Sequence, residues 1–153
     1  MQSLELRVPP PAVALIVAIA MWIGARGTVA TAAPEFVRFS LAIALALAGA
    51  IFDVSGLVAF RRARTTVNPM TPQSASSLVN SGVYRVTRNP MYVGLLFFLF
   101  GWAVFLWSGW TLLGPFAFAA YISRFQIAPE EKALYALFGA DYLAYQAKVR
   151  RWL

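Results

Sequence analysis

The chain reads as an all-α integral membrane protein with about four transmembrane helices, and three observations carry that reading. Of 153 residues, 60% are apolar and 12% charged, against roughly 45–50% and about 25% in a soluble domain. Four apolar runs approach the roughly 17–25 residues that a spanning helix needs. Thirteen basic residues against six acids give a net charge of +7, and they flank the apolar runs. The charge therefore reads as membrane topology and not as a nucleic-acid surface. One membrane domain is expected over residues 1–153.

The first span, Pro9–Gly24, is short but uncharged. Ala30-Thr31-Ala32 resembles a signal-peptide cleavage site, but Glu5 offsets Arg7 in the leader. Without a net positive start the segment is expected to be retained. The second span, Phe36–Phe60, carries Arg38 and Asp53. An acid inside a span is a functional hypothesis by default; the structural alternative pairs Asp53 with Arg124 or with an arginine at 61–64. Met91–Trp107 and Trp110–Ile127 are separated only by Ser108 and Gly109, which forces a helical hairpin.

Residues 61–90 hold Arg61, Arg62, Arg64, Arg85 and Arg88 and no acid, so this loop is expected in the cytoplasm. Four spans then place both termini there as well. Trp102, Trp107 and Trp110 suit the opposite interface.

Residues 129–149 form the last element. Pro129 is expected to set a new helix with Glu130 and Glu131 in its first turn, where the dipole favours acids. Two adjacent carboxylates beside the mouth of a hairpin also suit a cationic ligand such as a sulfonium or ammonium group. Leu134, Leu137, Phe138, Tyr142, Tyr145 and Val149 follow as an apolar stripe. The helix is read as amphipathic, lying on the membrane or folding back over the loop, and Gly139 is a candidate break.

The composition restricts the chemistry. There is no cysteine and no histidine, which excludes disulfides, thiolate nucleophiles, Ser-His-Asp hydrolysis and the usual zinc or haem ligation. No metal site is expected. Asn89-Pro90 is a helix start, with Asn at the N-cap and Pro at the first helical position. With Arg88 beside it, this helix end is a candidate anion site; the alternative is an ordinary capped span with a flanking arginine. Gly94, one turn further in, allows close approach of either a ligand or another helix, and for Gly101 helix packing is the better reading.

The run Gly82-Val83-Tyr84, then Arg88-Asn89-Pro90-Met91-Tyr92-Val93-Gly94, resembles a hallmark of the isoprenylcysteine carboxyl methyltransferase and phospholipid methyltransferase superfamily. Glu130-Glu131, Leu134, Phe138-Gly139, Tyr142, Tyr145 and Val149-Arg150 resemble its second hallmark. The resemblance covers roughly residues 61–153 and is closest to bacterial-type members, which implies a bacterial inner membrane. It implies S-adenosylmethionine as methyl donor at the cytoplasmic face, under the C-terminal helix. The implied donor contacts are Ser76, Ser77, Leu78, Val79 and Tyr84 from the loop. They continue with Arg88, Asn89, Pro90, Met91, Tyr92 and Gly94 at the start of the third span. Glu130, Glu131, Tyr142 and Arg150 complete the set.

Glu130, Glu131 and Arg124 are the implied catalytic residues. Eukaryotic carboxyl methyltransferases carry an Arg shortly before the acidic pair where this chain has Gln126, so a prenylcysteine carboxylate is not implied as acceptor. Direct displacement at a sulfonium needs alignment and a dry pocket and no histidine. The expected acceptor is a lipid-like or small hydrophobic molecule drawn from the bilayer. Two other readings are a non-enzymatic four-span membrane protein and a sterol-reductase-like NADPH enzyme with Tyr84 or Tyr92 as proton donor.

Overall fold

A computed structural model of the chain describes residues 5–27, 34–65 and 68–153. The described residues form five α-helices joined by short 3-10 and π-helical turns, with no strand among them. The Ala30–Ala32 motif lies outside the described residues.

Helix α1 (Pro10–Ala25) begins where Pro9 and Pro10 remove N–H groups that a first turn leaves unpaired in any case. It buries Val13, Ala14 and Met21 on one side, while Leu15, Ile16, Ile19 and Ile23 face outward. Helix α2 (Glu35–Arg62) has 28 residues, with a mean hydropathy of 2.2 over its most apolar 18, long and apolar enough to cross a bilayer. Phe36, Ile43, Leu47 and Ile51 are exposed along it, so its outer surface is as apolar as its packed one. Helices α1 and α3 (Pro90–Leu106) are shorter apolar helices of 16 and 17 residues.

The broadest helix pairing is α2 with α3. Small residues recur every seven positions on both: Ala42, Gly49 and Gly56 on α2, Gly94 and Gly101 on α3. Gly101 meets the Ala42 carbonyl, and a Cβ there would lie 3.1 Å from it. A Cβ on Gly49 would lie 2.8 Å from the Gly94 carbonyl oxygen. Backbone thus meets backbone, the close approach that small residues permit. Both α3 glycines serve this contact. At the far end Arg38 Nη2 donates to the Phe105 carbonyl, and Trp102 Nε1 donates to the Ala18 carbonyl at 3.0 Å.

Helix α3 ends at Trp107 in the left-handed conformation (φ 51°), and a 3-10 turn, Gly109–Leu112, leads into α4 (Leu113–Ile122). Helix α1 packs on both α3 and α4. The expected restart at Pro129 does not occur. Helix α4 passes through a π-helical turn, Ser123–Ile127, directly into α5 (Ala128–Lys148), and Ile127 and Ala128 are both helical. Proline cannot donate to the carbonyl four residues back, which is that of Phe125. The Leu6 N–H occupies this oxygen instead, at 3.1 Å. A π-turn and a donor from the N-terminal segment together absorb the proline. The acidic pair therefore stands inside a continuous helix, with no free helix end to favour it. Gly139 does break α5, at φ 49° and ψ −121°, a conformation other residues avoid.

A substitution tests the α2–α3 seam. A Cβ on Gly94 would lie 2.1 Å from Asp53 Oδ1 and 2.9 Å from the Gly49 carbonyl oxygen, whereas one on Gly109 would meet nothing within 4 Å. Gly94→Ala is expected to lower the thermal midpoint in detergent by the equivalent of about 1–3 kcal/mol, and Gly109→Ala to leave it nearly unchanged.

Candidate functional site

One large cavity, about 590 Å³, lies at the end of the bundle where α3 begins. That size falls within the usual range for cofactor sites. Its walls come from α2 (Asp53, Val54, Leu57, Phe60), the loop (Met70, Ser77, Leu78, Val79), the 3-10 turn Gly82–Arg85 (Tyr84), the start of α3 (Arg88, Asn89, Met91, Tyr92) and α5 (Glu130, Glu131, Leu134, Tyr142, Tyr145). Pro9–Pro11 close one side.

The two adjacent glutamates have different environments. Glu131 accepts from Arg88 Nη2 at 2.8 Å and from Arg151 Nη2 at 2.5 Å. Burial alone would raise its pKa, but the two guanidinium groups outweigh it and hold the carboxyl below the ordinary range. Glu130 has no cationic partner among the described residues. It accepts from the Tyr92 hydroxyl at 2.5 Å and from Gln126 Nε2. Burial pushes its carboxyl up to about 7, the hydrogen bonds from Gln126 and Tyr92 work against that rise, and Glu131 adds to it. Gln126 is itself fixed by donating to the Pro69 carbonyl at 2.8 Å.

Arg88 and Asn89 are occupied by the chain's last residues. Arg88 Nη1 donates to the Val149 carbonyl at 2.6 Å and to that of Gln146 at 3.1 Å. Its backbone N–H donates to the Arg150 carbonyl at 2.9 Å. Asn89 stands at the N-cap position, but its side chain makes no cap; Nδ2 donates to the Arg151 carbonyl at 2.9 Å. Thr87 Oγ1 reaches the same oxygen at 3.1 Å. The expected free anion site is therefore a staple that holds the tail against the start of α3.

The tyrosines complete the enclosure. Tyr145 donates its hydroxyl to the Tyr84 carbonyl at 2.7 Å, and the Tyr84 ring meets Phe60 edge-on. Burial raises the hydroxyls of Tyr84 and Tyr145, and that of Tyr142 to about 12. All three stay protonated at neutral pH.

Of the residues named from sequence, Ser77, Leu78, Val79, Tyr84, Arg88, Asn89, Met91, Tyr92, Glu130, Glu131 and Tyr142 line this cavity. Five do not. Ser76 is exposed and its N–H is held by Thr65 Oγ1. Pro90 is buried beneath the wall, and Gly94 faces α2. Arg124 points away and pairs with Glu5 at 2.8 Å. Arg150 is exposed. The resemblance names Arg150, but Val149 is extended (φ −123°, ψ 133°). In extended chain successive side chains alternate sides, so Arg151 turns inward to Glu131. Tyr145 and Leu134 lie on the apolar stripe and also line the cavity. Asp53 is signalled as an acid in a span, whereas Leu57 and Phe60 have no signal beyond their place in the second span. Arg151→Ala is expected to cost about 1–2 kcal/mol, a modest figure because that arginine is 40% exposed, while Arg150→Ala costs nearly nothing; paired thermal melts measure both.

A sequence profile of the phospholipid methyltransferase family matches residues 37–141. Among curated relatives, protein-S-isoprenylcysteine O-methyltransferase A of Arabidopsis thaliana is 31% identical over 106 residues, 67% of this chain and 52% of that protein. The Xenopus laevis protein-S-isoprenylcysteine O-methyltransferase is 37% identical over 73 residues, 48% of this chain and 25% of its own length. An uncharacterized protein of Haemophilus influenzae is 44% identical over 63 residues, 41% of this chain and all of that protein. The chain thus spans about half the length of the plant relative and a quarter of the frog one. No solved structure matches. The profile covers more than half the sequence, and the chain belongs to the phospholipid methyltransferase family.

Proposed function

We propose that the chain is an integral-membrane methyltransferase that takes its methyl group from S-adenosylmethionine and passes it to an apolar acceptor. The observation that carries this is the split between the two glutamates. Glu131 is neutralised by Arg88 and Arg151, while Glu130 faces the same cavity with hydrogen bonds but no cation. A buried carboxylate without a cation favours a cationic ligand, and the donor carries a sulfonium and an ammonium group. When bound it supplies an electrophilic methyl group. Glu130 would face the sulfonium, and Val79, Leu134, Tyr84 and Tyr142 would wall the adenine. The largely apolar walls supply the low-polarity surroundings that favour aligned displacement.

The acceptor enters sideways from the bilayer. Val54 both lines the cavity and is 59% exposed on the outer face of α2, so the cavity reaches the apolar surface. The exposed apolar residues of α1, α2 and α4 support four spans, with α1 and α3 short. The described chain ends meet at the cavity: Leu6 binds the Phe125 carbonyl and the tail binds Arg88. That supports both termini on one side, the side of the arginine-rich 61–90 loop, which is cytoplasmic by charge. The membrane we assign is a bacterial inner membrane.

Calorimetry on detergent-purified protein tests the reading. S-adenosylmethionine is expected to bind and NADPH not to. A cation binds ionised Glu130, and a group near 7 is about one-tenth ionised at pH 6 and about nine-tenths at pH 8. Affinity is expected to rise about tenfold over that interval and to lose most of this dependence in Glu130→Gln. NADPH binding in preference, or no binding by either, contradicts the proposal.

A further inference from the structure

Asp53 is one of three residues with a buried side-chain polar atom left unpaired among the described residues, beside Arg38 and Arg88, and it is the acid of the three. It lines the cavity from α2, and its Oδ1 is buried without a hydrogen-bond partner. The pairings expected from sequence are absent: Arg124 is held by Glu5, and no ion pair reaches Asp53 among the described residues. Helix α3 makes room for it, because a Cβ on Gly94 would lie 2.1 Å from Oδ1 and 2.6 Å from Cγ. An acid in an apolar span is costly, and a purely structural role leads it to a partner.

The other titratable groups of the cavity are committed. Tyr84 on the 3-10 turn, and Tyr142 and Tyr145 on α5, are held neutral by burial. At the start of α3, Arg88 is taken by Glu131 and tail carbonyls, and Tyr92 donates to Glu130. On α5, Glu131 is doubly paired and Glu130 accepts from Tyr92 and Gln126. Asp53 is the cavity carboxyl with neither a hydrogen bond nor an ion pair among the described residues.

Resting on the methyl-transfer reading above, we propose that Asp53 takes the proton of the methyl acceptor, and that the acceptor is accordingly a thiol or an amine on an apolar body and not a carboxylate. The acceptor's sulfur or nitrogen forms its bond to the methyl carbon as the carbon–sulfur bond of the donor breaks. The donor sulfur keeps that electron pair and becomes a neutral thioether, and the acceptor's proton passes to the Asp53 carboxylate and then to water. A carboxylate acceptor needs no base and brings a further negative charge into a cavity that already holds Asp53 and Glu130, where the charge of Arg88 is already paired with Glu131.

The test uses full-length protein in lipid nanodiscs with S-adenosylhomocysteine bound, titrated calorimetrically with decylamine, 1-decanethiol and decanoate. Decylamine or decanethiol is expected to bind at least tenfold tighter than decanoate, and Asp53→Asn to abolish that preference while keeping its affinity for S-adenosylmethionine, which shows that the variant is folded. With labelled donor, turnover of the preferred probe is expected to fall about a hundredfold or more in Asp53→Asn and to recover in part in Asp53→Glu. Decanoate binding as tightly as the other two, a base-labile labelled ester, or unchanged preference in Asp53→Asn overturns the Asp53 proposal and leaves the methyltransferase reading standing. Failure of the wild type to bind S-adenosylmethionine overturns both.

Discussion

The ion pairs joining Glu131 to Arg88 and Arg151 are the constraint on which the site depends. They connect the start of α3, the first turns of α5 and the extended tail. Arg88 Nη1 donates to the carbonyls of Gln146 and Val149, its backbone N–H to that of Arg150, and Asn89 and Thr87 hold that of Arg151. Three successive tail carbonyls are thereby paired where the tail packs against the start of α3. Trp152 extends the attachment, packing on the core and donating to Ser123.

That arrangement divides the acidic pair between two tasks. Adjacent residues on a helix point about 100° apart, so Glu130 and Glu131 meet different neighbours. Glu131 turns to the arginines. Glu130 turns toward Tyr92 and toward Gln126, one helical turn before it on the same face. The continuous backbone through the π-turn makes this geometry possible. A fresh helix start at Pro129 would have offered both carboxylates the same free amide groups and the same explanation.

Much of the fold was legible because lipid-facing helices write themselves in long apolar runs, and because Asn89-Pro90 and Ser81-Gly82 are local signals for a helix start and a turn. The glycines at 49, 56, 94 and 101 are spaced for helix packing, yet only the fold shows that α2 is the partner of α3. Residues named from the sequence line the cavity where helical spacing sets a wall, as with Tyr142 and Glu130. They miss it where the backbone changes state. The extended conformation at Val149 turns Arg151 and not Arg150 to Glu131, and the π-turn removes the helix end expected at Pro129. Asn89 and Arg88 line the cavity but also bind the tail, which no local pattern indicates. Asp53 stood out in the sequence as an acid in a span. Its lack of a partner could be seen only with its neighbours in place.

The central claim is that Glu130 recognises the positive charge of the methyl donor. S-adenosylmethionine and S-adenosylhomocysteine share every group except the methyl that makes the sulfur cationic, so their relative affinity isolates that charge. Calorimetric titration of both at pH 8, in wild type and Glu130→Gln, is the direct measurement. The account expects the sulfonium form to bind more tightly to wild type, with the difference largely gone in Glu130→Gln. Equal affinities in wild type, or a preference that survives the substitution, would contradict it.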